Sequence, residues 1–237
     1  MPPSSIYEHV FIILIYVHNN EPKFIFNMKD DAKLQRKEKE FRFRRAEILE
    51  QAERIFTAKG FHETTMAEIA GSSGFSTGNL YRFFSGKEEL YSAMVMEKVT
   101  VMYAQIADAV SRDENVHGKI RALVSSHFDY VENHTDFYRL LIGHESGLRT
   151  EGLKKLREHI LDEHRKHIDD IEDLLREGIR GKVLRALDPK SMAIALIGIV
   201  AYFKYAWIMN PESTSLSEKV DHVLDVYLRG VAKDKEF

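Results

Sequence analysis

GFSTGNLYRFFSGKEELY, residues 74–91, is the stretch on which the fold turns. Glycines at 74, 78 and 86 and serines at 76 and 85 punctuate it, and its polar run closes on aromatics. Gly74, Phe75 and Ser76 read as a turn, Ser76 as a helix cap, and Thr77 to Phe84 as a helix barely two turns long. So short a helix leaves Thr77, Asn79, Tyr81 and Arg82 unburied, and their polar side chains need a partner of some other kind.

The residues on either side supply a frame. From Arg45 to Lys59 the apolar positions Ile48, Leu49, Ala52, Ile55 and Phe56 form the one-sided stripe of an amphipathic helix. Gly60 is expected to end it as a left-handed cap residue, with Phe61 folding back. Thr65 and Glu68 have the spacing of a capping box, so a second helix is expected through Ala70 and closed by GSSG (71–74). Ser85 and Glu88 repeat that spacing and are expected to start a longer helix carrying Leu90, Met94, Val95, Met102, Tyr103 and Ile106.

Beyond it, helices are expected at 117–133, 136–142, 153–179, 189–209 and 216–232. Five prolines and few alternating β-branched runs place the chain in the all-α class. The segment SMAIALIGIVAYFKYAWIM (191–209) is apolar nearly all round and about as long as a membrane span, but Lys204 interrupts it. It is read as a core helix buried on every side that also faces a second subunit.

Composition narrows the classes. With 237 residues, 44% hydrophobic and 30% charged, the chain is of ordinary globular make-up. The absence of cysteine excludes a disulfide framework and thiolate metal sites and fits a reducing, cytoplasmic setting. The net charge is −3, yet Lys29 to Arg45 carries eight basic residues against four acidic ones. The basic excess thus sits just before the first convincing helix, as an arm over 29–44.

Residues 1–28 are expected to be a non-native or disordered extension, with Met28 as the working start. A loosely packed arm or an interfacial anchor are the other readings of the apolar VFIILIYV (10–17).

Helix, short capped helix, glycine-containing turn and short helix make a helix-turn-helix, whose second helix enters the DNA major groove. Gly78 removes a side chain where backbone and DNA would collide. Asn79 offers both donor and acceptor to adenine, and Thr77 suits a base edge or a thymine methyl. Tyr81, Arg82 and Lys87 are expected at phosphates. Solvent exposure alone would account for each of these residues singly, and Thr65, Ser76 and Ser85 would serve as caps in any case.

Residues 44–95, with the marks AKGF, TTMAEIA and SGFSTGNLYRFFSGKEEL, resemble the DNA-binding domain of the tetracycline-repressor-like (TetR) family of bacterial regulators. The resemblance covers about a fifth of the chain. It implies an N-terminal three-helix DNA-binding domain (45–91) and a larger helical domain for ligand binding and dimerisation (92–237). It places Arg44, Arg45, Thr65, Ser76, Thr77, Gly78, Asn79, Tyr81, Arg82 and Lys87 at the DNA. Met66 and Phe83 depart from the polar residues that family members often carry there.

The resemblance further implies a homodimer on a palindromic operator, acting as a ligand-responsive regulator and expected to repress. The helices at 189–209 and 216–232 are expected to form the dimer contact, the second through Leu216, Val220, Val223, Leu224, Tyr227 and Val231. A small apolar or amphipathic effector is expected among Met102, Tyr103, Phe128, Phe137, Leu141, Ile171, Met192, Leu196, Tyr202 and Phe203, each of which would also serve as plain core.

Other chemistries fit less well. EHILDEHRKHIDD (158–170) invites a metal- or small-molecule-binding reading, or an enzyme built on that helix, but it contains no HExxH and reads more readily as a solvated charged helix. GHESG (143–147) misplaces the serine of a GxSxG elbow, and no glycine-rich phosphate loop follows a strand. No enzymatic activity and no cofactor are expected.

Overall fold

Local signals written into the chain fix most helix boundaries of this computed structural model, which describes residues 28–144, 151–210 and 215–231. Helix α1 spans Met28–Glu63, α2 Met66–Ser72, α3 Thr77–Leu80, α4 Lys87–Ser111 and α5 Val116–Asn133. Next come α6 (Thr135–His144), α7 (Glu151–Arg180), α8 (Pro189–Met209), a single 3₁₀ turn and α9 (Val220–Val231). The expectation for residues 1–27 lies outside the described residues.

The chain divides into two compact units, Met1–Arg44 and Arg45–Phe237. In the first, the described part is helical and residues 33–44 are solvent-facing, with Arg42 paired to Glu38 at 3.0 Å and Arg44 to Glu40 at 3.8 Å. These i,i+4 pairs offset part of the basic excess of the 29–44 arm and are worth a few tenths of a kcal/mol each.

The second unit contains two apolar clusters. One gathers the helix-turn-helix head: Ile48, Phe56, Ile69, Leu80, Phe84 and Leu90, joined by Phe137, Leu140, Leu153 and Leu156 from α6 and the start of α7. The other is built on α5, α7, α8 and α9 around Ile120, Phe128, Leu175, Leu196 and Val223. Tyr103 and Tyr138 pack against both. The expected boundary between residues 91 and 92 falls inside α4, which feeds Leu90 and Met94 to one cluster and Met102 and Ile106 to the other.

Two apolar stripes behave differently from expectation. Helix α8 is not buried on every side: Ile194, Tyr202, Tyr205 and Met209 line an outer face, and Tyr202 is 70% exposed. Its opposite face, Ala193, Ile197, Val200 and Ile208, is the buried one. Among the described residues α8 is the one helix long and apolar enough to cross a membrane, and here it packs on α5, α7 and α9.

In α9 the stripe expected at a dimer contact, from Leu216 to Val231, turns inward and is buried in the chain's own core. The Tyr227 hydroxyl donates to the Met192 carbonyl at 3.1 Å, closing α9 onto α8. The six residues of that stripe, with Leu228, are the apolar lid of the C-terminal cluster, so intramolecular burial claims them first.

Caps set the head's geometry. The Thr65 hydroxyl accepts from the Glu68 N–H at 3.2 Å and the Glu68 carboxylate accepts from the Thr65 N–H at 3.0 Å, a complete capping box. Lys59 also donates to Glu68, and this bond, ahead of those from Thr65, holds the Glu68 carboxyl below its usual range. Thr65→Ala should therefore lower stability by about 1 kcal/mol, read as a reduced urea midpoint. An unchanged midpoint would mean that the box contributes nothing.

Candidate nucleic-acid interface

Helix α3 is shorter than its sequence suggests. Ser76 caps it, its hydroxyl accepting from the Asn79 N–H at 3.3 Å, but helical geometry stops at Leu80 rather than Phe84. From there Arg82 N–H donates to Asn79 and Phe83 N–H to Leu80, bonds one residue shorter than those of an α-helix. Phe84, whose N–H still donates to the Leu80 carbonyl at 3.1 Å, is 1% exposed in the core beside the fully buried Leu80. Phe83 stays half-buried against Phe75, ring centroids 5.7 Å apart.

Gly74 lies in the left-handed region at φ 73°, so the turn into α3 needs a residue without a Cβ. Gly60 also has positive φ (80°), but its ψ of 169° makes it an extended break in α1 rather than the expected left-handed cap. Gly78 is different. A Cβ built there meets nothing within 4 Å, so the protein's own packing gives no reason for glycine.

Thr77, Asn79, Tyr81 and Arg82 are exposed, and among the described residues their side chains have no partner. One two-turn surface thus presents a hydroxyl, an amide, a phenol (Tyr81 is 51% exposed) and a guanidinium. Met66 is buried and supplies core in place of a polar contact.

The basic residues divide. Lys87 was expected at a phosphate, but its ammonium donates to the carbonyls of His62 (3.0 Å) and Thr64 (2.7 Å) and lies 4.7 Å from the Phe61 ring centroid. It fastens the end of α1 to the start of α4, leaving one N–H for any further acceptor. Arg45 is likewise engaged, 5.0 Å over the Phe84 ring and 3.8 Å from Glu97. Arg44 and Arg82 are exposed.

The Ser85 cap also differs from expectation. Its N–H (2.7 Å) and hydroxyl (2.6 Å) both donate to Glu89 rather than pairing with Glu88. The helix begins at Lys87 after an extended Gly86, which places Glu89, not Glu88, on its third position.

The candidate effector residues do not converge on one cavity. Met102, Tyr103, Phe128, Ile171, Met192, Leu196 and Phe203 belong to the C-terminal cluster. Phe137 and Leu141 belong instead to the head's cluster, and Tyr202 points outward. Ile171 lines a groove of about 670 Å³ between α4, α5 and α7, and so does His167.

His167 is only 6% exposed, which overturns the reading of 158–170 as a wholly solvated helix. Its Nε2 lies 2.9 Å from Nε2 of His127, a residue that the sequence reading did not single out. Among the described residues no three metal-ligating side chains gather as an ion site.

The sequence matches the models of two known domains: bacterial regulatory proteins of the tetR family over residues 48–94, and the tetracyclin repressor-like C-terminal domain over 117–207. Between them they take in more than half of the chain. The Bacillus subtilis fatty acid metabolism regulator protein is 22% identical over 78% of this chain and 94% of its own length. The Mycolicibacterium smegmatis transcriptional activator FasR is 29% identical over 70% of this chain and 73% of its own. In structure, FadR from Bacillus subtilis, solved in complex with stearoyl-CoA, aligns over 78% of this chain and 98% of its own with a TM-score of 0.66 and 20% identity. The capped, exposed α3 and these matches agree: the chain belongs to the tetR family of bacterial transcriptional regulators.

Proposed function

We propose that the protein is a ligand-responsive regulator that lays α3 in the major groove, binds a palindromic operator as a homodimer and represses from it in the cytoplasm. The observation that carries this reading is α3 itself: a capped helix whose polar side chains have no intramolecular work. Asn79 and Thr77 read base edges, Gly78 lets the backbone approach the bases, and Tyr81, Arg82 and Arg44 hold phosphates. Thr65 and Ser76, whose hydroxyls face solvent while capping, add phosphate contacts at the two helix starts. Arg45 and Lys87 hold the head together first, and contact DNA only through their remaining donors.

The homodimer forms across the uncovered apolar face of α8, with the outer face of α9 at Val226 beside it. Two copies related by a twofold axis then present their α3 helices about 34–36 Å apart, one turn of DNA. The effector is apolar or amphipathic and binds in the C-terminal cluster. FadR with stearoyl-CoA is a protein of this fold holding such a molecule. Because α4 supplies both clusters, an effector that tilts it takes the two heads out of register; a coupling of about 1–3 kcal/mol changes DNA affinity 5- to 150-fold.

Asn79→Ala tests the base-reading role. It should reduce preference at one base pair per half-site by roughly 5- to 150-fold, the worth of one bidentate contact, while affinity for unrelated DNA stays unchanged. Competition binding with single-base operator variants measures both. Uniform weakening on every sequence would instead make Asn79 a backbone contact.

A further inference from the structure

On α8 the inward-facing positions run Ala193, Ile197, Val200, position 204 and Ile208, and the residue at 204 is a half-buried lysine. Its ammonium is set into an apolar stripe, and the ion pairs of the described residues include none from Lys204. Facing it are three histidines. Lys204 bears electrostatically on His127 of α5 and on His164 and His167 of α7.

The His127 and His167 Nε2 atoms share one hydrogen bond, which uses a single proton. His127 Nδ1 is then left fully buried with no partner. His164 Nδ1 lies 3.4 Å from the Tyr103 hydroxyl. The nearest acid felt by this group is Glu163, acting on Tyr103 and already paired with Lys166 at 2.6 Å.

A lone ammonium and an orphaned imidazole nitrogen in one interior are costly, since neither regains what it had in water. Both deficits are removed by the same occupant, an anion that also accepts a hydrogen bond. A carboxylate carries the single negative charge that one lysine can balance; a phosphate dianion would leave one charge over. Around these groups the lining is apolar, with Phe128 and Val200 in the same cluster. His167 also lines the groove of about 670 Å³ between α4, α5 and α7.

We propose that Lys204 and the His127–His167 pair are the receptor for the carboxylate of an apolar organic acid, and that this acid is the effector. The proposal rests on the reading of the protein as a ligand-responsive regulator and specifies the polar end of its ligand. It also gives the ligand a route to the DNA head. His127 and His167 sit on α5 and α7, and Tyr103, its ring tilted 33° to that of His167 with centroids 4.5 Å apart, belongs to α4.

The test titrates the full chain with linear carboxylates from butanoate to dodecanoate, and with the alcohols of the same lengths, by calorimetry and thermal denaturation. At one or more chain lengths the acid should bind at least tenfold more tightly than the alcohol. Lys204→Met should erase that preference while leaving alcohol binding and specific DNA binding intact; His127→Phe, which leaves the lysine in place, should weaken the acid severalfold. Failure of every acid in the series to bind, or equal acid affinity in Lys204→Met, overturns the proposal. Measuring specific DNA binding on the same preparations separates the two levels. DNA binding without acid binding sinks this inference alone, and absence of specific DNA binding sinks the functional reading beneath it.

Discussion

Phe84→Ala should destabilise the protein by about 3–5 kcal/mol and abolish sequence-specific DNA binding. The ring is 1% exposed, closes the cluster that contains Leu80 and Leu90, and carries the Arg45 guanidinium on its face. Truncation removes the transfer energy of a whole aromatic side chain and leaves a cavity beneath α3. It also releases Arg45 from its only aromatic support among the described residues. At roughly 2–4 °C per kcal/mol for a chain of this size, the melting temperature should fall by about 10 °C. Phe84→Leu, which keeps most of the volume, should lose much less. A wild-type melting temperature in Phe84→Ala would mean that α3 is held by something other than this core.

The second large effect is acid sensitivity. Burial, then the charges of His164 and Lys204, depresses the His167 imidazole from 6.5 to about 4. Burial, followed by Lys204, His167 and His164, likewise holds His127 well below its usual value. Above pH 6.5 both states of the protein keep these rings neutral, and no penalty arises. As pH falls from 6.5 towards 4 the unfolded chain takes up protons that the folded chain refuses, so stability declines across that window. For His167 alone the full loss is about 3 kcal/mol, reached below pH 4.

The groups facing it are His127 from α5, His164 on its own helix, Tyr103 from α4 and Lys204 from α8. His167→Gln should flatten the slope between pH 6.5 and 4 relative to wild type in urea titrations at stepped pH. Parallel slopes for the two proteins would show that His167 titrates normally.

What the sequence revealed follows from the range of the interactions involved. The Thr65–Glu68 box and the Ser76 cap were legible because each is closed within three residues, so spacing alone determines them. The Ser85 partner was off by one because α4 starts after an extended Gly86, a backbone detail that spacing does not encode. The end of α3 was overestimated because the chain tightens into i→i−3 bonds at Arg82 and Phe83, a backbone change that the i,i+4 spacing of Leu80 and Phe84 does not encode. The structural role of Lys87 was not legible because nothing local announces that two carbonyls 23 and 25 residues upstream engage it.

The C-terminal half was harder to read, since a packed core and a ligand cavity draw on the same residue types. Phe137 and Leu141 were assigned to the effector, yet α6 delivers them to the head. The His127 signal was present but faint: it falls on the α5 stripe of Ile120, Val124, Phe128 and Val131, where a polar residue is out of place. Lys204 gave the same signal on α8. It was taken as evidence against a membrane span when it also marked a polar point on the inward face of the helix.

The central claim is that α3, from two copies of the chain, reads base sequence. Selection of bound duplexes from a random pool, repeated at two salt concentrations, tests it most directly. The account predicts enrichment of an inverted repeat with half-site centres about one helical turn apart, with a preference that Asn79→Ala relaxes and that survives the higher salt. A pool that stays random, with binding that disappears as salt rises, would contradict it.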